Sequence, residues 1–256
     1  MVGINSQNQS IGQRRSANAR TKQPAKNNRP LVWAIVGGVV GAVLVAGIIL
    51  GVLAANGMFD NNHDDSGWRH RPSIDKPLIY LYPETETEIT VKLGAPEKLT
   101  STYPKYIDGW NVVASPNGDL VDKNTGDKLY ALYWEGQRDI SNMSFDTGFI
   151  IKGEDSAAFL REKLEIMGLN YKEREEFIVY WLPKLEANKY NYIYFATAEE
   201  IVREMPLELS VQPDTLIRVS MIFEGLDESI DMKEQNLTPA PERRGFTVVE
   251  WGGTEL

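Results

Sequence analysis

The chain contains no cysteine among its 256 residues. This absence excludes disulfide bonds, thiolate catalysis, cysteine-ligated zinc and the lipid-modified cysteine of a bacterial lipoprotein. It does not exclude export, because an oxidising compartment permits disulfides without requiring them. Histidine is almost absent as well, and the two that exist, His63 and His70, lie in one polar segment. The sequence therefore does not indicate a hydrolase that uses histidine to activate a serine.

Nucleotide and metal sites are not indicated either. The P-loop pattern and the dinucleotide fingerprint are both missing. His63 and His70 lie beside Asp64 and Asp65, but this polar segment offers no fixed geometry for a metal. The segment "NGDLVDKNTGDK" resembles a calcium loop, yet Gly126 stands where an oxygen ligand is expected and no glutamate closes the loop. We therefore predict no cofactor and no metal site.

Acidic residues are missing from residues 1–59, whereas six basic residues lie before position 30. This leader is polar and almost free of large apolar residues, so residues 1–30 are predicted to be a disordered basic tail. The rest of the chain holds 36 acidic against 21 basic residues, a net charge near −15. Such a charge argues against nucleic acid as a partner, because phosphate binding needs a basic surface.

One apolar run interrupts this polar chain. From Leu31 to Ala55 there are 25 residues without a charge. As a helix the run reaches roughly 37 Å, enough to cross a hydrocarbon core of about 30 Å. The apolar region of a secretory signal is usually only about 7–15 residues long. Residues 31–55 are therefore predicted to be a transmembrane helix, most simply an uncleaved anchor, with cleavage near Ala54 or Ala55 as the alternative.

The charges on either side of residues 31–55 predict its orientation. Basic residues precede it and acidic residues follow it, so the positive-inside rule keeps the N-terminus in the cytoplasm and the C-terminal domain outside the cell membrane. Gly37, Gly41, Gly47 and Gly51 match the small-residue spacing through which two membrane helices approach closely. This spacing predicts a homodimer through the span; the alternative is that glycine is simply common in membrane helices.

The folded part is predicted to begin at Lys76, after a polar linker over residues 56–75. "KPLIYLYP" is a short apolar run typical of a buried strand, and "TEITVKL" alternates as a half-exposed strand does. Asn117-Gly118 lies between two extended segments, which is a strong hairpin signal. Residues 76–136 are therefore predicted to form a run of antiparallel strands.

A helical pattern follows. Apolar residues from about Asp155 fall on one helical face until Gly168 ends the pattern. Asn170 and Glu173 match a capping box that opens a second helix, which Pro183 should kink or end. A short helix and further strands complete the chain. Residues 76–256 are predicted to be one extracytoplasmic α+β domain, with mostly antiparallel sheet and two main helices, preceded by one transmembrane helix.

Four separated segments occur in a characteristic order: "KPLIYLYPETET" (76–87), "YALYWEG" (130–136), "EFIVYWLPKLE" (176–186) and "RRGFTVVEWGG" (243–253). Together they resemble a family of uncharacterised bacterial proteins with K-P-x-I-Y-L-Y-P near the start of the folded part and G-F-x-V-V-E-W-G-G at its end. The resemblance covers roughly residues 75–253. It implies a shared fold, and it implies no activity and no functional residues.

Two Trp-Glu pairs are the candidate sites. Glu135 follows Trp134 and Glu250 precedes Trp251, each near the end of a predicted strand. A pair of carboxylates could hydrolyse a glycosidic bond, and the tryptophans could stack on sugar rings. The alternative is structural, because tryptophans fill cores and acids border turns.

Tyrosines alternate in two strands, at positions 80 and 82 and at positions 190, 192 and 194. Each set should lie on one face of a sheet, closing a core edge more readily than forming a binding surface.

The leading functional hypothesis is a membrane-anchored module that binds an envelope glycan or protein partner. The alternatives are a tethered glycan hydrolase using Glu135 and Glu250, and a structural component of an envelope complex.

Overall fold

A computed structural model describes residues 72–256 of the chain. The predictions for the basic tail, the transmembrane helix with its four glycines, and the linker up to residue 71 lie outside the described residues. Within residues 72–256, no helix is long and apolar enough to cross a membrane. The described part is an α+β fold with mostly antiparallel sheets, as predicted.

A seven-stranded sheet forms the centre of the fold, with strand order β3-β7-β1-β12-β11-β9-β8. Neighbouring strands are antiparallel except β11 and β12, which run parallel. Its strands are β1 (Ser73–Tyr82), β3 (Leu99–Tyr103), β7 (Leu132–Gln137), β8 (Phe149–Lys152), β9 (Tyr190–Phe195), β11 (Thr215–Leu226) and β12 (Thr247–Glu255). β1 therefore begins three residues before Lys76, where the folded part was predicted to start.

A second, five-stranded antiparallel sheet has the order β10-β2-β4-β5-β6. Its strands are β2 (Thr87–Leu93), β4 (Trp110–Ala114), β5 (Leu120–Asp122), β6 (Lys128–Leu129) and β10 (Leu207–Leu209). The predicted turn at Asn117-Gly118 joins β4 to β5, and Gly118 adopts the left-handed conformation that such turns require, with φ of +90°. The strands between residues 76 and 136 are thus antiparallel as predicted, but they divide between two sheets.

Three helices complete the fold: α1 (Ser156–Ile166), α2 (Tyr171–Glu186) and α3 (Ala198–Glu204). Asn170 and Glu173 form the predicted capping box at the start of α2, and Thr197 with Glu200 forms another at the start of α3. Pro183 lies inside α2 and does not end it. The carbonyl left without a donor belongs to Val179, whose side chain is exposed, so water can replace the lost partner.

Alternate residues of the central strands point to opposite faces of the seven-stranded sheet. One face, which we call the helix face, packs against α1 and α2. Its buried apolar side chains include Leu78, Leu160, Leu164, Phe177, Trp181, Leu185, Val249 and Trp251. The opposite face, which we call the far face, packs against the five-stranded sheet and, around Ile201, against α3. Its buried side chains include Ile79, Leu81, Ile89, Val112, Leu132, Trp134 and Val248.

A β-bulge interrupts β1 next to the helix face. Ile74 pairs with Gly136 and Leu78 pairs with Tyr133, so β1 uses four residue steps where β7 uses three. The extra residue also shifts the register against β12. Within this bulge Lys76 adopts a left-handed backbone conformation with φ of +58°. It is the one non-glycine residue in the described chain with a positive φ, and such a conformation costs an L-residue roughly 1–2 kcal/mol.

Candidate functional site

Two adjoining cavities form a cleft beside α2. One, of about 750 Å³, lies between α2, β1 and the β4–β5 turn; we call it the helix half. The other, of about 560 Å³, lies beside β3, β6 and β7; we call it the strand half. Lys76, Tyr130 and Tyr180 line both halves. Together the halves are lined by six tyrosines, and we call the whole the tyrosine cleft: Tyr80, Tyr82, Tyr103, Tyr130, Tyr133 and Tyr180.

The floor of the helix half is made by β1. Tyr80 and Tyr82 are two residues apart, so both point to the helix face, and their rings stack in parallel with centroids 6.3 Å apart. Gly118 of the β4–β5 turn lies so close that an added Cβ would be 2.6 Å from the Tyr82 ring. The turn is thereby held against the stacked tyrosines and forms one wall of the cleft.

Helix α2 supplies the carboxylates that fix these phenols. Tyr80 donates to Glu176, and Tyr82 donates to Glu173 with an O–O distance of 2.8 Å. The Trp251 indole donates to the Tyr80 oxygen at 3.2 Å. Burial, together with the neighbouring glutamates, raises the pKa of both Tyr80 and Tyr82 above the usual range of a phenol. Both phenols are therefore neutral donors, already bonded to carboxylates, and neither is a base or nucleophile.

The exposed wall of the cleft is also aromatic. Tyr130 is 56% exposed, and its ring centroid lies 6.4 Å from that of Tyr80. Tyr180 of α2 is partly buried, and the Lys76 ammonium lies 5.6 Å from its ring centroid. Val179, beside Tyr180, is 75% exposed. The cleft thus presents ring faces and an aliphatic side chain to solvent, next to the polar groups of its floor.

The charged groups differ between the halves. The helix half is lined by Asp119, Glu175 and Glu176 together with Lys76 and Lys172. The strand half is lined by one acid, Glu135, together with Lys76 and Lys128. With Lys76 counted once, the whole cleft holds four acids and three lysines, and three of the four acids line the helix half.

The structure separates the two predicted carboxylates. Trp134 belongs to the far-face core, so its strand neighbour Glu135 points to the helix face, where it lines the tyrosine cleft. Trp251 belongs to the helix-face core, so Glu250 points to the far face. The indole of Trp134 donates to Glu250 across 2.9 Å there. Glu135 and Glu250 therefore lie on opposite sides of the seven-stranded sheet and share no cleft in which they could act on one bond.

Glu250 belongs to a buried polar cluster. It pairs with Arg218 at 2.6 Å, and both side chains are 6% exposed. Arg138, close by, donates to Thr254 and Ser220, and burial lowers its pKa to about 10. The cavity bordered by these residues is about 20 Å³, which admits a single water and excludes a sugar. This arrangement assigns Glu250 a structural role within the far-face core.

The two predicted tryptophans lie within the core. Trp251 is fully buried and Trp134 is 2% exposed, so neither ring has a face free for a ligand. Tyr192 and Tyr194 are also buried, in a small apolar cluster with Ile201 of α3 on the far face. Of the tyrosines that sequence alternation singled out, only Tyr80 and Tyr82 contribute to the tyrosine cleft.

The other cleft residues were not predicted. Glu176 and Tyr180 are four positions apart, which places them on one side of α2, and this spacing was the available signal. Nothing local distinguishes Tyr130 or Lys76 from ordinary surface residues. Within residues 72–256, no group of three or more His, Asp or Glu side chains is arranged to hold a metal. The cleft therefore offers aromatic surface and hydrogen-bonding groups.

Comparison with protein-family models, with curated proteins and with solved structures finds no match for this chain. The resemblance to a family of uncharacterised bacterial proteins therefore stays a prediction from the four sequence segments.

Proposed function

We propose that this chain is a single-pass, membrane-anchored binding module of the cell envelope, and that its exported domain binds a saccharide in the tyrosine cleft. One observation carries the choice of ligand: six tyrosines converge on a cleft that also holds carboxylates and lysines. The membrane anchor comes from the sequence, through the uncharged run at residues 31–55 and the charges that flank it.

A saccharide fits the chemistry of this cleft. A sugar ring has an apolar face of C–H groups and an equatorial rim of hydroxyls, so it needs both a flat apolar surface and hydrogen-bonding partners. Tyr130 and Tyr180 offer ring faces at the open side, and Glu175 and Asp119 offer acceptors for hydroxyls. The volume of the helix half, about 750 Å³, falls within the range of small-molecule sites.

Binding is favoured over hydrolysis by the position of the carboxylates. The predicted hydrolase needs Glu135 and Glu250 on either side of one glycosidic bond, whereas the sheet itself lies between them. A tether adds a reason for a binding role, since confinement at a membrane raises the local concentration of a weak binder. The role as a structural envelope component rests on the glycine pattern of the span and stays a prediction.

The test is saccharide binding by the full chain. The purified protein, in a zwitterionic detergent that contains no sugar, is applied to an array of neutral and acidic bacterial envelope glycans. We expect at least one glycan to bind, and Tyr130→Ala to weaken that binding about tenfold, because truncation removes a ring from the cleft. The matched control is Tyr171→Ala, which removes a tyrosine that is 61% exposed and does not line the cleft.

Two results would contradict this function. If no glycan binds above background while the protein remains folded by circular dichroism, the saccharide ligand is wrong. If Tyr130→Ala and Tyr171→Ala bind equally well to the wild-type ligand, the ligand lies elsewhere on the surface.

A further inference from the structure

Lys76 has an uncommon backbone for its residue type. Its φ of +58° lies in the left-handed region, which glycine and asparagine enter easily and lysine does not. The bulge places this residue at the junction of the two halves of the tyrosine cleft. A glycine there would meet the backbone requirement without strain. A strained residue at a ligand cleft points to a function for its side chain.

The ammonium of Lys76 has no carboxylate within 4.0 Å anywhere in residues 72–256, although the domain is rich in acids. Its close neighbour is instead the Tyr180 ring, at 5.6 Å from the centroid. By contrast, Lys184, which lies one turn after Tyr180 in α2, is paired with Glu255 at 2.9 Å. The charge of Lys76 is thus held at the cleft by an aromatic ring and is free to meet an anion from solution.

A second lysine lies on the same side of the cleft. Lys128 of β6 lines the strand half and likewise has no carboxylate within 4.0 Å among the described residues. The one acid of that half is Glu135. The strand half therefore holds two ammonium groups beside four tyrosines, Tyr103, Tyr130, Tyr133 and Tyr180.

We propose that the ligand of the tyrosine cleft is an acidic saccharide, whose carboxylate binds Lys76 and Lys128 in the strand half while a neighbouring sugar ring occupies the helix half. Lys76 is then the residue that distinguishes acidic from neutral saccharides. This inference rests on the proposed saccharide-binding function and adds the charge class of the ligand.

The acidity of the whole domain does not oppose this binding. At physiological ionic strength the Debye length is about 8 Å, so exposed acids further away are largely screened. The two lysines of the strand half would act at contact distance, where a hydrogen bond to a charged group contributes more than a neutral one. The acids of the helix half would accept hydrogen bonds from the hydroxyl groups of the adjoining sugar ring.

The test compares an acid with its uncharged ester. Trigalacturonate and a GlcNAc–MurNAc disaccharide, each also prepared as the methyl ester, are titrated into the full chain by calorimetry in the same sugar-free detergent. We expect one acid to bind at least tenfold more tightly than its own ester. Because the esters keep the ring shape, a preference for the acid reports the charge.

Two variants separate the charge of Lys76 from its backbone. Lys76→Gln removes the charge and keeps the strain, whereas Lys76→Gly removes both. Both should weaken binding of the acid about tenfold and leave binding of the ester unchanged. Only Lys76→Gly should raise Tm, by about 2 °C, because glycine adopts the left-handed conformation freely. Lys189→Gln is the control for net charge, since Lys189 is exposed and does not line the cleft.

The outcomes are distinguishable. Acid and ester binding equally would overturn the acidic ligand, and both Lys76 variants binding the acid within twofold of wild type would overturn the role of Lys76. Either result leaves the saccharide cleft standing. Binding of neutral glycans alone on the array would overturn the acidic ligand in the same way. Failure of every saccharide, acidic and neutral, would overturn the proposed function along with this inference.

Discussion

The two faces of the seven-stranded sheet both hold a buried glutamate paired with an arginine, but they differ in their access to solvent. On the far face, Glu250 pairs with Arg218, and both side chains are 6% exposed. On the helix face, the fully buried Glu173 pairs with Arg243, which is 28% exposed. The first pair borders a small cavity between the seven-stranded sheet and α3, whereas in the second pair Arg243 lies over the ring of Tyr82, a residue of the tyrosine cleft. The far face is therefore a closed core, and the helix face combines a core with an open site.

This difference shows how the alternation of side chains along a strand decides which residues reach the core and which reach the cleft. Trp134-Glu135 and Glu250-Trp251 look like equivalent motifs in the sequence, yet the order of the two residues is reversed between them. The sheet sends Trp134 and Glu250 to the far face and Glu135 and Trp251 to the helix face. Neither pair is a site by itself. Each pair contributes its tryptophan to a core, and of the two glutamates only Glu135 lines the cleft.

The largest effect is expected from breaking the far-face ion pair. Glu250→Ala leaves the Arg218 guanidinium buried without its carboxylate and removes the acceptor of the Trp134 indole. We expect the free energy of unfolding to fall by about 4 kcal/mol, because an uncompensated buried charge is strongly unfavourable. The measurement is urea unfolding followed by tryptophan fluorescence.

A double variant shows whether charge or shape explains this loss. Glu250→Leu combined with Arg218→Met removes both charges and refills much of the space, so it should recover more than half of the lost stability. A double variant as unstable as Glu250→Ala would show that the pair contributes through its geometry. The matched single control is Glu135→Ala, from the neighbouring position on the helix face, which should change stability by less than about 1 kcal/mol.

A smaller effect is expected from the corresponding change on the helix face. Glu173→Gln keeps one oxygen, which can accept from the Asn170 backbone or from Tyr82 but not from both, and it removes the negative charge beside Arg243. We expect a loss of about 2 kcal/mol, less than for Glu250→Ala, because Arg243 can turn to water whereas Arg218 cannot. The measurement is again urea unfolding. A loss equal to or greater than that of Glu250→Ala would remove the contrast between a closed and an open face.

Much of this fold could be predicted from local sequence signals. The capping box at Asn170, the stop at Gly168 and the turn at Asn117-Gly118 all act within a few residues, and the structure confirms each of them. The α+β class followed from the order of the patterns. These signals succeed because caps and turns satisfy backbone groups that lie close together in the chain.

The site could not be predicted in the same way. Tyr80, Tyr130 and Tyr180 are separated by 50 residues at each step, and only the packing of α2 against β1 brings them together. The sequence also cannot show that β1 and β2 belong to different sheets, since alternation defines a face and not a partner strand. The bulge at Lys76 leaves no pattern either, because nothing in "SIDKPLIY" marks the extra residue.

The smallest effect concerns one phenol at the cleft. Burial, followed by a hydrogen bond to Glu135, raises the pKa of Tyr133 to about 12. An unfolded tyrosine titrates near 10, so the folded state holds this proton more tightly. The resulting stabilisation is fully present below about pH 10 and is lost as the pH rises towards 12. It is small because the Tyr133 side chain is only partly buried.

The measurement is an NMR titration of protein labelled at the tyrosine ring carbon next to the hydroxyl, with Tyr133→Phe identifying the signal. In Glu135→Ala the midpoint should fall but stay above 10, since burial is the larger cause and persists without the carboxylate. Glu250→Ala is the informative control, because its carboxylate lies across the sheet and should leave the Tyr133 midpoint unchanged in whatever fraction stays folded. A Tyr133 midpoint that moves with Glu250 and not with Glu135 would mean that the two glutamates are not divided between the faces, and the contrast between a closed core and an open site would fail.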